Sequence, residues 1–224
     1  MSGTIDRLID WLKWPSAVVA LLALPGSVGA LLALVKRVLG QPVPILPFLG
    51  GIVVYILLWR FYRRRPIFGS FFSTFEHELT HAVFAWLTFH KVVGMRASSR
   101  RGGDVTIVGK GNWLITIAPY YFPTLCLLLG LLLALLPAEH LVWVNALMGA
   151  TLAYHVTSTR RETHSSQPDL RKVGLPFAWM FLPAANIIAL GGVLAFSHAG
   201  LAGLGTFLGD VFSKTQALIT AVLG

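Results

Sequence analysis

Of 224 residues, 55% are hydrophobic and only 12% charged, and a mean hydropathy of +0.72 excludes an ordinary soluble domain of this size. A net charge of +9 and a pI of 10.2 would suit a nucleic-acid binder, but the Lys and Arg residues fall in short tracts between long apolar runs. They read as membrane-topology signals, and no nucleic-acid partner is expected. Cys126 is the single cysteine and lies in an apolar run, which excludes a disulfide framework and a cysteine metal site.

The composition predicts an α-helical multi-pass membrane protein of about six transmembrane helices, with residues 1–224 forming one membrane-embedded unit in the lipid bilayer. Residues 1–14 interleave Ile5, Leu8, Ile9 and Leu12 with Asp6, Arg7, Asp10 and Lys13, which suits a short helix lying at the membrane interface. They lack the pattern of a cleaved secretory signal, so the first apolar segment is expected to be retained. That segment, about 16–35, contains Pro25 and Gly26, where it is expected to kink or turn back. A second span covers about 45–61 and ends at Trp59, Arg60 and the run Arg63 to Arg65, which fits a membrane boundary.

The third apolar run, about 71–93, is followed by a polar, glycine-rich stretch. Its residues read as a small β-hairpin with strands near 92–97 and 104–108, where two glycines near the 100–103 turn supply positive φ; a charged surface loop is the competing reading. Further spans are expected at about 113–136, carrying Pro119 and Pro123, at 141–157 and at 177–196. Residues 200–224 are expected to form a tail on the surface or associated with the membrane.

Inside the third run, Phe75 to Ala82 reads FEHELTHA. Histidines four apart stand one above the other on a helix face, so His77 and His81 can reach one metal ion, and Glu78 beside them can take the proton of a water. Ser73, His77 and His81 form a polar stripe on an otherwise apolar helix, where ionisable groups are costly unless they bind or react. Glu76 has no assigned role.

A catalytic zinc site takes three protein ligands and keeps one position open. His90 is nine residues beyond His81 and so about 180° around the helix, on the wrong face. Among the downstream carboxylates, Asp104, Glu139, Glu162, Asp169 and Asp210, the setting of Asp169 is the most suggestive. Ser165 or Ser166 can cap a short helix with Pro168 in its first turn, and Gly174 and Pro176 can end it. In the six-span scheme that loop lies on the hairpin's side, and His81 sits about 15 Å below it, so a helix dipping inward reaches the metal. His155 and His164 are rivals for the third position, or groups outside the metal that bind the substrate carbonyl as charge develops.

HELTH in a membrane helix, then a glycine-rich β-like segment, then a distant Pro-Asp together resemble the site-2 protease family of intramembrane zinc metalloproteases, over roughly residues 68–196. The resemblance implies one zinc ion per chain on His77, His81 and Asp169, with Glu78 as general base. It also implies cleavage of a transmembrane substrate within its helix. Gln167 and Leu170 flank the Pro-Asp where the family usually has other residues, and Ile117-Ala118-Pro119 replaces its small-residue-Gly-Pro segment. The hairpin can bind an unwound substrate as an added strand, with Thr106 and Val108 on the binding strand. A catalytically silent scaffold that binds partner helices is the alternative; a metal transporter would repeat its polar groups on several spans. Most Lys and Arg residues fall on the hairpin side, which predicts a site open to the cytoplasmic face of a prokaryotic cytoplasmic membrane.

Overall fold

A computed structural model describes residues 2–62, 71–98, 102–133, 135–137 and 140–223. The Arg63 to Arg65 run, Arg100, Arg101 and Glu139 lie outside the described residues. The protein is mostly helical. In chain order the elements are α1 (Ser2–Trp11), α2 (Lys13–Gly40), α3 (Leu46–Tyr62), α4 (Phe72–Leu87), β1 (Val92–Ser98), β2 (Gly102–Ile107), α5 (Trp113–Ile117), α6 (Thr124–Leu133), α7 (Leu141–Glu162), α8 (Pro168–Val173) and α9 (Leu175–Leu223).

Among the described residues, three helical stretches are long and apolar enough to cross a membrane: Lys13–Gly40, Val43–Phe61 and Leu175–Val222. A bent pair, Trp113–Tyr120 with Thr124–Leu133, makes a fourth if counted as one span. The other two helices expected to span are unlike these. α4 has 16 residues, about 24 Å, and runs into a sheet; α7 carries His155, Ser158, Thr159, Arg160, Arg161 and Glu162 toward its C-terminus.

Local corrections follow from prolines and glycines. α2 runs unbroken through Pro25, and the neighbouring glycine serves packing: a Cβ on Gly26 would lie 2.7 Å from the backbone nitrogen of Thr215. The expected fourth span is instead broken. After α5, a 3-10 turn over Ala118–Tyr120 leads to a bend of 81° before α6, because Pro119 and Pro123 cannot donate to the preceding turns. α9 turns back at Ala199 and Gly200, where Gly200 takes φ 62. Residues beyond this turn form a helical arm against α2 and the first half of α9, with Phe207 and Val211 packed on Ala30, Leu34 and Ala195.

The hairpin expected after α4 is present. β1 and β2 pair antiparallel, with Arg96 opposite Asp104 and a bulge between Val92 and Gly94. Gly102 takes φ 74, whereas Gly103 lies within β2 and is needed for a different reason, given below. The hairpin base rests on α4 and α5, where Val92 and Ile107 pack on Phe84, Ala85 and Ile115.

α1 presents Leu8 and Trp11 outward and turns Asp6 inward. Asp6 accepts from Asn112 Nδ2 at 2.8 Å and lies 3.1 Å from His90 Nε2. His90 is thus removed from the motif face and ties the end of α4 to α1. Asn112 in turn caps α5, its side chain accepting from the Ile115 N–H.

Candidate metal centre

Two polar stripes meet between α4 and α7. On α4, Ser73, Glu76, His77 and Thr80 follow the i, i+3, i+4, i+7 spacing of one helix face, and on α7 His155, Ser158, Thr159 and Glu162 do the same. Ser73 and Ser158 hydroxyls are 2.5 Å apart, Ser73 also donates to Glu162, and His77 Nδ1 lies 2.9 Å from Glu162 Oε2. Such pairing removes the cost of burying these groups among apolar helices.

The opposite ring edge of His77 faces the cleft. His77 and His81 lie a turn apart, their ring centroids separated by 4.8 Å. Asp169 Oδ2 is 3.3 Å from Nε2 of each. One donor atom from each of His77, His81 and Asp169 lies within 4.8 Å of the others. His81 Nδ1 donates to the Ile115 carbonyl at 2.8 Å; a carbonyl only accepts, so this contact places the neutral ring's proton on Nδ1 and its lone pair on Nε2. Glu162 does the same for His77. Both Nε2 atoms and one carboxylate oxygen therefore converge with oriented lone pairs, a donor set of the kind zinc takes.

α8 holds Asp169 in place. Pro168 opens the helix as expected, but Gln167 is the N-cap residue and makes no side-chain cap bond; Ser166 instead bonds His164 Nδ1 at 2.7 Å. Leu170 and Val173 are buried against Trp113, Tyr120 and Phe177, each worth roughly 1.5–3 kcal/mol, which leaves Asp169 facing the histidines. Tyr120 Oη donates to Asp169 Oδ2 at 3.3 Å. Burial pushes the Asp169 carboxyl up, but in the metal-free protein hydrogen bonds from His77 and His81 in their protonated form, with N–H on both ring nitrogens, outweigh it and hold the group well below the ordinary carboxylate range.

Glu78 is buried and lines the same cleft, of about 590 Å³, with His77, His81 and Asp169. β2 forms its lid: a Cβ on Gly103 would stand 2.4 Å from Glu78 Cγ and 2.5 Å from Oε1, so only glycine admits this approach. The remaining expected residues are placed elsewhere. His155 lies in the seam between α4 and α7 rather than in the cleft, 3.4 Å from the Thr159 hydroxyl and at an ion-pair distance of 3.4 Å from Glu76 Oε1, which makes no hydrogen bond among the described residues. His164 is exposed and does not line the cleft. The Thr106 hydroxyl donates to Asp104, and the Val108 N–H donates to Lys91 O within the hairpin. By two-residue alternation the outward N–H groups of β2 belong to Val105 and Ile107. Glu162 and the Ile115 carbonyl are supports the motif itself does not reveal; the stripe on α7 was the available signal for Glu162.

Membrane-length apolar helices, together with a partly buried His-His-Asp cluster beside a buried glutamate, define a membrane protein with a candidate metal site. The Peptidase M50B-like family matches residues 48–164, just over half of the chain, and the chain belongs to this family, which is the site-2 protease family. The match contains the HELTH helix, the hairpin and Glu162; Asp169 lies five residues beyond it. No curated protein and no solved structure matches the chain.

Proposed function

We propose that the chain is an intramembrane zinc metalloprotease that hydrolyses a peptide bond in or near a substrate's transmembrane helix. The observation that carries this reading is the convergence of His77 Nε2, His81 Nε2 and Asp169 Oδ2 beside a buried Glu78. His77, His81 and Asp169 hold one zinc ion per chain. When bound, zinc acidifies water and polarises the scissile carbonyl. Glu78 takes the proton of the attacking water and later gives it to the leaving amine, and Glu162 and the Ile115 carbonyl keep both imidazoles aimed. The polar cleft admits water that an apolar helix bundle would exclude.

Substrate helix unwound at the cleft adds to β2 through its outward edge, main chain to main chain. Val105→Pro removes one outward N–H at an edge where proline is tolerated, and is expected to slow cleavage with the hairpin intact. Unchanged cleavage by this variant would remove the strand-addition step. On the six-span scheme, the Lys and Arg surplus on the hairpin side supports a cleft open to the cytoplasmic face of a prokaryotic cytoplasmic membrane.

The test is cleavage of a panel of single-span substrates by the purified full chain in detergent. Wild type is expected to cut, and Glu78→Gln and chelator-treated protein to lose the activity. A chain that binds zinc one to one and cuts nothing would favour the silent scaffold.

A further inference from the structure

Next to the catalytic cleft lies a second pocket of about 300 Å³, and Lys110, Thr116 and Lys172 line both. The two lobes differ in charge. The first contains Glu78, Asp104, Glu162 and Asp169 around the histidines. The second receives Lys13 from the start of α2, Lys110 from the loop after β2 and Lys172 from α8, against a single carboxylate, Asp10. Asp10 Oδ1 is already engaged, accepting from the Trp113 N–H at 3.3 Å. Lys13 Nζ lies 5.3 Å from the Phe177 ring centroid and 5.9 Å from that of Trp14, contacts that leave its charge uncompensated. Among the described residues none of these three lysines forms an ion pair.

Three cations brought into one pocket from separate elements repel one another, and an anion placed among them relieves that repulsion. The first lobe sets its four carboxylates against Lys110, Lys172 and the proposed zinc, so it offers an anion no comparable excess of positive charge. A ligand lying in the catalytic cleft and continuing past Lys110 and Lys172 therefore passes from a charge-balanced lobe into a positive one, which favours acidic groups at that end. Resting on the protease reading above, we infer that this side lobe is a subsite for an acidic stretch of the substrate, Asp or Glu side chains on one side of the scissile bond. Lys110 and Lys172 act as the specificity residues at the junction. Substrates carrying Lys or Arg at that flank are disfavoured by the same charges.

The experiment uses the full chain in detergent with single-span peptides that share one apolar core and differ only in flank: acidic, neutral or basic. Wild type is expected to show kcat/KM for the acidic flank roughly five- to tenfold above the basic one, a preference that shrinks as salt rises from about 50 to about 500 mM. The double variant Lys110→Glu, Lys172→Glu is expected to reverse the order. Binding of the same peptides to Glu78→Gln protein, by fluorescence anisotropy, reads the subsite even if nothing is cut, so failure of the protease reading is separated from failure of this one. Equal affinity for acidic and basic flanks in that assay overturns the inference. So does a double variant that loses affinity for phosphatidylglycerol vesicles while keeping the wild-type flank preference, which would make the lobe a lipid headgroup site.

Discussion

The α2–α9 half of the molecule and the α4–α7–α8 half are held together by opposite means. In the first, glycines let helices approach closely: Gly26 against the Thr215 backbone, Gly203 against the Ala195 carbonyl and Gly191 against the Phe207 ring. In the second, polar side chains meet in pairs, Ser73 with Ser158, His77 with Glu162 and Asp169 with two histidines. α7 belongs to both, since its Gly149 faces the Phe48 carbonyl of α3 while its stripe of His155, Ser158 and Glu162 faces α4. In a bilayer, where apolar surface gains little from helix association, close packing supplies cohesion and buried polar groups mark the place where chemistry happens.

That contrast can be broken deliberately. Gly103→Val should have the largest effect on activity, lowering the single-turnover cleavage rate about 100-fold or more by displacing Glu78, with zinc content unchanged. Glu162→Gln weakens the anchor of His77 Nδ1 and should cost roughly 10–100-fold in zinc affinity, measured by competition with a chromophoric chelator. Gly26→Val, in the other half, should leave zinc affinity alone and lower unfolding stability by roughly 1–3 kcal/mol, seen as a reduced Tm in detergent. Arg37→Ala removes the ion pair with Asp210, whose partners are partly exposed, and should change stability by less than about 1 kcal/mol. If Arg37→Ala unfolded the protein while Gly26→Val did nothing, the division between packing and polar halves would be wrong.

Much of the candidate site was legible in the sequence because its residue pattern is local. HELTH fixes two histidines on a face of α4, and Pro168 and Gly174 mark α8, so Asp169 could be picked out before its partners were known. The glycine-rich segment after α4 likewise announced the hairpin. What was not legible depended on distant contacts. Pro25 leaves α2 unbroken while Pro119 and Pro123 break the path between α5 and α6, and nothing in the local sequence separates these outcomes, because neighbouring helices decide whether freed carbonyls find partners. Glu162 lies 85 residues from His77, and only the fold brings them together. Asp6 looked like the watery side of an amphipathic helix, but it is 8% exposed because His90 and Asn112 satisfy it from within. The final helical arm also looked like a surface segment until α2 and α9 were seen to supply its packing face.

The most direct test of the proposed zinc site is X-ray absorption at the zinc edge on the purified full chain, with single substitutions of the three donors. The account predicts one zinc per chain with two imidazole ligands, one of them lost in His77→Ala and one in His81→Ala, and Asp169→Ala reducing affinity with both imidazoles kept. Zinc that is absent, or bound with the same ligands after His81→Ala, would contradict it.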